Sequence, residues 1–255
     1  MALVFADNTT DDVNHGSTAA LDDMANPTIA FIFKPTNNSN TFRSLGGKGT
    51  NLEMFRRGVD GTRIAISRSM SGTDAVVDVS TGLLTTGWNF AAFTCDWLVD
   101  LHSYHGAYPT PCVDTTFNEI LGTGTLDTDA AADWTMGSNQ GSLANGAIPY
   151  TIAWVGVWNR ILTLGELQDQ QFNPHVTSGC VLFSHYGWNG TGTQADWSGG
   201  VRNGTVTGAT LSTDHAPIQV RPRVWTPSRR IVAASTLIGA RSLHVPSFGM
   251  EAVNG

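Results

Sequence analysis

The chain has 255 residues, a formal net charge of −7, 28 glycines and only 14% charged residues. This length is enough to bury one full core, and all-β sandwiches of this size often form a single domain. The glycine content and the abundance of Asn, Thr, Ser and Asp favour a strand-rich fold over a helical one. We expect a soluble, non-membrane protein, because no apolar run approaches the roughly 18 residues of a membrane span and the N-terminus lacks a signal-peptide pattern.

Strand-like runs follow one another along the first hundred residues. They alternate apolar and polar residues, or are rich in β-branched and aromatic residues, and they end at turn residues. The predicted strands are 3–6, 28–34, 51–57, 63–68, 75–80 and 88–96. Between the second and third, Gly46-Gly47-Lys48-Gly49 is predicted to form a hairpin turn. A phosphate-binding loop would need a following helix, and here a strand follows.

Residues 97–150 are less regular. The segment begins like a strand but then contains Pro109 and Pro111 in sequence that suits no single element. The sequence therefore predicts no single strand or helix for this segment.

The stretch 150–172 changes structural period halfway along. An apolar run over 151–158 predicts a strand buried on both faces, with Trp154 and Trp158 on one side. Thr163 and Glu166 then have the spacing of a capping box, which predicts the start of a short helix. Leu164, Leu167 and Phe172 are expected to form its apolar side, and Asn173-Pro174 to end it. A β-sandwich closed by one short helix follows from this pattern.

These residues also carry a family resemblance. The strand followed by W-N-R and the capped helix resembles the closing strand and helix of laminin-G-like jelly rolls, in the concanavalin A-like lectin and glucanase superfamily. Segments 5–35 and 84–96 resemble the opening and central strands of that family. Segment 196–217 resembles the turn and strand that usually begin such a module. Since it comes last here, we expect it to pair with the N-terminal strand.

The resemblance implies an all-β, two-sheet antiparallel jelly-roll sandwich over residues 1–217, with one short helix. Residues 218–255 differ in composition, with five arginines against one glutamate, while the rest of the chain is strongly acidic. We interpret them as an extended basic C-terminal arm that packs on its own domain, on another copy or on a partner protein. The predicted partner-binding residues are Arg221, Arg223, Trp225, Arg229 and Arg230.

The sequence contains none of the catalytic motifs expected of hydrolases on this or related folds. The glucanases of the superfamily carry an E-x-D-x-x-E strand motif, which is absent here, and so are G-x-S-x-G and H-E-x-x-H. Cys95, Cys112 and Cys180 are expected to be free thiols, because their number is odd and they form no C-x-x-C pair. We therefore expect a protein that is not an enzyme and has no cofactor. Calcium is the exception that the resemblance allows, through Asp7, Asp11, Asp12 or Asp60.

Carbohydrate binding would use exposed aromatic rings as stacking platforms. Four aromatic residues in loop-like sequence are the candidates, and for each the alternative is partial burial under a loop: Tyr104, Tyr108, Trp188 and Trp197.

Three hypotheses about function follow. The first is a structural or adhesive protein on the surface of a viral particle, because the resemblance and the basic arm are similar to decoration, cement or fibre proteins of tailed bacteriophages. Its partners would be capsid or other virion proteins, copies of itself, and glycans. The second is a carbohydrate-binding module or lectin, with a tail-fibre or other receptor-binding component as a further alternative. The third is an enzyme of the glucanase type, against which the missing carboxylate motif weighs heavily. A nucleic-acid partner is not expected, since the acidic body would repel phosphate.

Overall fold

The computed structural model describes residues 1–6, 10–36, 43–57, 63–79, 87–138 and 149–217. Over these residues the chain forms sixteen strands and one helix: β1 (Ala2–Phe5), β2 (Asp12–Asn14), β3 (Thr28–Pro35), β4 (Arg43–Lys48), β5 (Leu52–Arg57), β6 (Arg63–Arg68), β7 (Ala75–Val79), β8 (Asn89–Asp96), β9 (Asp100–Ala107), β10 (Val113–Asp114), β11 (Thr116–Ile120), β12 (Trp134–Gly137), β13 (Tyr150–Trp158), α1 (Leu164–Phe172), β14 (Cys180–His185), β15 (Thr205–Thr207) and β16 (Thr210–Ser212).

The strands of the described residues form two antiparallel sheets that pack face to face. The first sheet has the order β10-β9-β8-β3-β13-β1-β16, with β14 also paired to β13. The second has the order β11-β7-β6-β5-β4-β12-β2-β15. The predicted all-β jelly-roll sandwich with one short helix is therefore confirmed. None of the helices formed by the described residues has the length and apolar character needed to cross a membrane.

Strand β13 lies at the centre of the first sheet and is buried along its whole length. One of its faces, with Val155 and Val157, belongs to the core between the two sheets. The other face, with Trp154 and Trp158, belongs to a second apolar cluster on the outer side of the first sheet. Helix α1 covers that cluster through Leu167. The prediction of a strand buried on both faces is thus confirmed.

The last strands of the sandwich pair with the first. Strand β16 is antiparallel to β1, with Leu3 opposite Leu211, and β15 is antiparallel to β2, with Val13 opposite Val206. The segment 196–217 therefore completes the sandwich that the N-terminal strands begin, as its position in the sequence predicted.

The glycine pair Gly46 and Gly47 lies inside strand β4, so the predicted hairpin turn was misplaced. The turn comes after it, at Gly49 to Asn51. Both glycines have positive φ, +144° and +143°, and a Cβ on Gly47 would lie 2.0 Å from the Leu52 carbonyl oxygen. Two neighbouring strands approach the backbone closely at this point, which only glycine permits.

Helix α1 begins at the predicted capping box. The Thr163 side chain accepts a hydrogen bond from the Glu166 amide, and the Glu166 carboxylate accepts from the Thr163 amide at 2.8 Å. The helix ends at Asn173. Its buried face differs from the prediction, because Leu164 is 40% exposed whereas Gln170 and Gln171 are buried. The Gln171 side chain bonds to Thr110 and Cys112, so hydrogen bonds to the 108–112 loop fix this face of the helix.

Residues 218–255 lie outside the described residues. The predicted role of the C-terminal arm in partner binding therefore stays a prediction. The residues concerned are Arg221, Arg223, Trp225, Arg229 and Arg230. The three cysteines are free thiols, with Cys95 and Cys112 buried and Cys180 half-buried.

Candidate functional site: an aromatic cleft

A cleft of about 310 Å³ opens on the outer side of the first sheet, between the end of α1 and the turns that follow β14. Its lining is mainly aromatic and apolar, with two imidazoles. The lining residues are Pro174, His175, Val176, Phe183, His185, Trp188 and Trp197. We call this site the aromatic cleft.

Two tryptophans form one corner of the aromatic cleft. Trp188 is 66% exposed and Trp197 is 50% exposed, which is unusual for side chains of this size. Their ring centroids are 6.5 Å apart and their planes meet at 85°. The corner therefore offers one indole face and, at right angles to it, a second aromatic wall.

The bottom of the aromatic cleft is Phe183, on strand β14. This ring stacks on Trp154 at 5.5 Å and contacts Trp158 edge-on at 6.4 Å, so the second apolar cluster supports it from below. The His185 ring lies edge-on to Phe183 at 5.2 Å. The floor is thus an extension of the packed interior and is fixed before any ligand binds.

The turn that carries Trp188 is held by one buried amide. Gln194 is fully buried, and its side-chain oxygen accepts a hydrogen bond from the Gly187 amide at 2.7 Å. Its side-chain nitrogen donates to the carbonyls of Gly190 and Gly192. All three bonds are made inside the turn, and they fix the backbone on both sides of Trp188.

The turn that carries Trp197 is built around the Asp196 carboxylate. Its Oδ1 accepts from the amides of Phe183 at 3.1 Å and Ser198 at 2.9 Å, and its Oδ2 accepts from the Arg202 amide at 3.1 Å. Burial alone would raise the pKa of Asp196, but the hydrogen bonds from Ser198, Phe183 and Arg202 outweigh it and hold the pKa below its usual value. The Trp197 amide also donates to the Phe183 carbonyl at 2.7 Å, which ties this turn to the floor.

The two imidazoles supply the polar atoms of the lining. Burial, with a smaller effect of the N-terminal amine, lowers the pKa of His185 to about 4, so this ring is neutral at physiological pH. His175 Nδ1 lies 2.7 Å from the Asn173 carbonyl and donates to it. The neutral imidazole of His185 offers one donor and one acceptor, which suits hydroxyl groups, and His175 has its Nε2 left after the bond to Asn173.

The other predicted aromatic candidates lie elsewhere. Tyr104, on β9, is 9% exposed and belongs to the second apolar cluster. Tyr108 packs against Phe172 at 5.6 Å, and its hydroxyl donates to the Gln171 carbonyl. Neither tyrosine is exposed like the two tryptophans, because Tyr104 is buried in this cluster and Tyr108 packs against α1. Of the four candidates, the structure brings only Trp188 and Trp197 together.

The predicted calcium ligands do not form a site in the described part of the chain. Asp11 is 3% exposed and its Oδ2 accepts from the Ala6 amide at 2.8 Å. Asp12 is 8% exposed, and burial raises the pKa of its carboxyl despite a hydrogen bond from Thr207. Asp7 and Asp60 lie outside the described residues. Within the described ranges, no group of three or more His, Cys, Asp or Glu residues is arranged to hold a metal ion.

Sequence reasoning missed the floor and the polar groups of the aromatic cleft. Phe183 and His185 lie in an ordinary strand-like run, and no motif marks them as site residues. His175 follows the helix, and no motif in the sequence distinguishes it from the other histidines. A strand over 180–185 points every second side chain to the same face, and this period alone places Phe183 and His185 together.

No protein-family model matches the chain, and no curated protein matches its sequence. Solved structures do share its fold. One is a protein from Bacteroides ovatus that is provisionally described as carbohydrate-binding, with a TM-score of 0.62 and 16% identity, over 85% of this chain and 61% of that one. The chain therefore spans about three-fifths of the length of that protein. At this identity the likeness establishes the β-sandwich fold, and the laminin-G-like assignment stays a resemblance.

Two further matches are more distant. Domain 4 of an extracellular arabinanase from Geobacillus stearothermophilus, solved with arabinotriose, has a TM-score of 0.43 and 15% identity, over 66% of this chain and 80% of that one. The enzymatically active domain of a tailspike protein of bacteriophage CBA120 has a TM-score of 0.45 and 14% identity, over 64% of this chain and 26% of that one. Likenesses at this level do not establish a shared function.

Proposed function

We propose that this protein is a non-enzymatic glycan-binding module and that the aromatic cleft is its binding site. The observation that carries the proposal is the exposed pair Trp188 and Trp197, held rigidly above the Phe183 floor. Indole faces left in water are unfavourable unless a ligand covers them, and the C–H face of a sugar ring is an apolar surface that fits them.

The rigidity of the corner supports a binding role. Gln194 and Asp196 hydrogen-bond to the backbone of the two turns, so the backbone that carries both tryptophans is positioned before the ligand arrives. A site arranged in advance loses less conformational entropy on binding. The described lining consists of indoles, imidazoles, the phenyl ring of Phe183 and aliphatic groups. It suits stacking and hydroxyl recognition better than acid–base hydrolysis by two carboxylates.

Replacement of the tryptophans tests the proposal. The full chain is screened on a glycan array, and the best glycan is titrated by calorimetry against Trp188→Ala and Trp197→Ala. Each variant is expected to weaken binding at least about 30-fold, as central aromatic anchors of binding sites do. Phe117→Ala is the matched control, because Phe117 is an exposed aromatic residue on β11 of the other sheet.

Two results would contradict the proposal. One is that no glycan binds the full chain. The other is that a glycan binds equally well to Trp188→Ala and to the control, which would place its site elsewhere. Thermal unfolding of each variant shows that a loss of binding is not a loss of fold.

A second candidate function is attachment to a viral particle. The arm 218–255 carries five arginines and one glutamate beside an acidic body, and this asymmetry favours contact with a protein partner. In this proposal the sandwich is displayed on the virion surface, and Arg221, Arg223, Trp225, Arg229 and Arg230 bind a capsid or other virion protein, or a second copy of the chain. Arginine suits this role because it forms bidentate pairs with carboxylates. Glycan binding and attachment are compatible.

Light scattering coupled to size exclusion tests the role of the arm. The full chain is compared with a chain that ends at Pro217. An oligomeric full chain beside a monomeric, stable truncation would support assembly through the arm. If both are monomeric and the truncation has a lower melting temperature, the arm packs on its own domain and the attachment proposal is wrong.

A further inference from the structure

The shape of the aromatic cleft restricts the kind of glycan that it can hold. A flat polysaccharide chain stacks successive rings on platforms that are nearly parallel and spaced along the chain. Trp188 and Trp197 instead meet at 85° with their centroids 6.5 Å apart. One sugar ring can stack on one indole, and the second indole then closes the cleft at its edge. A sugar chain that continued in that direction would meet the second ring.

The volume of the aromatic cleft agrees with a short ligand. At about 310 Å³ it lies at the lower end of the range of small-molecule sites, which is roughly 300–1,000 Å³. The floor is set by Phe183, which is only 2% exposed and is supported by Trp154. It cannot deepen without disruption of the second apolar cluster.

The charge of the aromatic cleft selects against acidic sugars. The described lining contains no lysine and no arginine. Arg202, which supports the Trp197 turn, is occupied by Thr18 at 2.7 Å and by the Val181 carbonyl, and it lies 3.6 Å from the Asp196 carboxylate. A carboxylate-bearing sugar would lose its hydration without gaining an ionic partner, and the chain as a whole is negatively charged.

Resting on the proposed function, we infer that the aromatic cleft binds the terminal residue of an uncharged glycan, with one sugar ring seated in the corner of Trp188 and Trp197. The hydroxyl groups of that ring face the imidazoles of His175 and His185. The module therefore recognises chain termini and short branches, and it makes few contacts with the interior of a polysaccharide.

The test is a length and charge series measured by calorimetry on the full chain. The probes are methyl hexopyranosides, their uncharged oligomers up to the hexasaccharide, and matched pairs such as lactose and sialyllactose. Affinity is expected to rise by less than about threefold beyond the disaccharide, and the acidic member of each pair is expected to bind at least about tenfold more weakly. Trp197→Ala should remove binding of the methyl hexoside, and Phe117→Ala should leave it unchanged.

Other outcomes would overturn the inference. A steady gain in affinity up to the hexasaccharide would show that the site binds internal residues of a glycan chain. Tighter binding of the sialylated probe would show that it prefers acidic sugars. In both cases the glycan-binding function survives and the inference fails. Perpendicular aromatic walls also suit a quaternary ammonium group. Binding of choline that depends on Trp188 and Trp197, with no binding of any sugar, would overturn the inference and the proposed function together.

Discussion

Two cations, Lys48 on β4 and Arg68 on β6, are buried in the second sheet, with 0% and 1% of their side chains exposed. Asp129 pairs with both of them, and its carboxylate is 1% exposed. Asp22 completes the partners of Lys48, and Asp23 lies 3.3 Å from Arg68. The group fastens the loops before β3 and before β12 to the sheet. These carboxylates already have protein cations as partners.

Removal of the central carboxylate should be strongly destabilising. Asp129→Asn is expected to lower the free energy of unfolding by about 3–5 kcal/mol, because two buried cations lose their shared partner. Urea denaturation measures the change. Asp214→Asn is the matched control: it breaks the partly exposed pair with Lys34, and the expected loss is below about 1 kcal/mol. Equal effects of the two substitutions would contradict this account of the buried group.

At the scale of the element, the N-terminus of α1 depends on Thr163. Thr163→Ala removes the acceptor for the Glu166 amide and should lower the free energy of unfolding by about 1 kcal/mol. Thr163→Ser keeps the hydroxyl and is expected to stay within a few tenths of wild type. Chemical denaturation of both variants tests the prediction, which fails if serine is as harmful as alanine.

The sequence predicts an element well where one local pattern dominates. The apolar run of β13 and the capping box of α1 are such cases. Strand β4 was missed because Gly46 and Gly47 look like turn residues, and their position inside a sheet depends on the approach of strands remote in sequence. Buried Gln171 on α1 was missed for the same reason, since its partners are in the 108–112 loop, whereas the Gln170 side chain accepts from the His175 amide just beyond the helix.

The candidate site was predictable only in part. Trp188 and Trp197 were identified as aromatic residues in loop-like sequence, but so were Tyr104, which the fold buries, and Tyr108, which is half-buried. The difference between the two pairs is tertiary: Tyr104 packs in the second apolar cluster and Tyr108 against α1, whereas Gln194 and Asp196 fix the backbone of the turns that carry the tryptophans. Nothing local in the sequence encodes a centroid distance or an angle between two rings.

At the scale of the whole molecule, three half-buried or buried histidines set the response to acid. These histidines are His15, His105 and His185, and burial lowers the pKa of each ring to about 4. In the unfolded chain the same rings have a pKa near 6.5. Between these values the unfolded state binds protons that the folded state does not, so stability falls as the pH is lowered from about 6.5 to about 4.

The expected slope is about 1.4 kcal/mol per pH unit for each histidine within that window. Urea denaturation at a series of pH values measures it. His15→Gln should lower the slope by about 1.4 kcal/mol per pH unit, the contribution of one proton, whatever its effect on stability at pH 7. An unchanged slope would mean that His15 is not neutral in the folded protein. Below about pH 4.5 the carboxylates whose pKa is held low, such as Asp196, add a loss of the same sign.

The pairing of β1 between β13 and β16 has a consequence for synthesis in the cell. Residues 2–5 find their two neighbouring strands only at 150–152 and 210–212. At about 5–20 residues per second, the ribosome needs roughly 10–40 s to deliver the second of these partners. We expect nascent chains stalled with residues up to 199 outside the ribosome to be cleaved by protease, and those with residues up to 217 outside to be protected. We therefore expect the sandwich to become protease-resistant in one late step, once β16 has been synthesised. Until then β1 lacks one of its two neighbouring strands and is exposed to aggregation or chaperone binding.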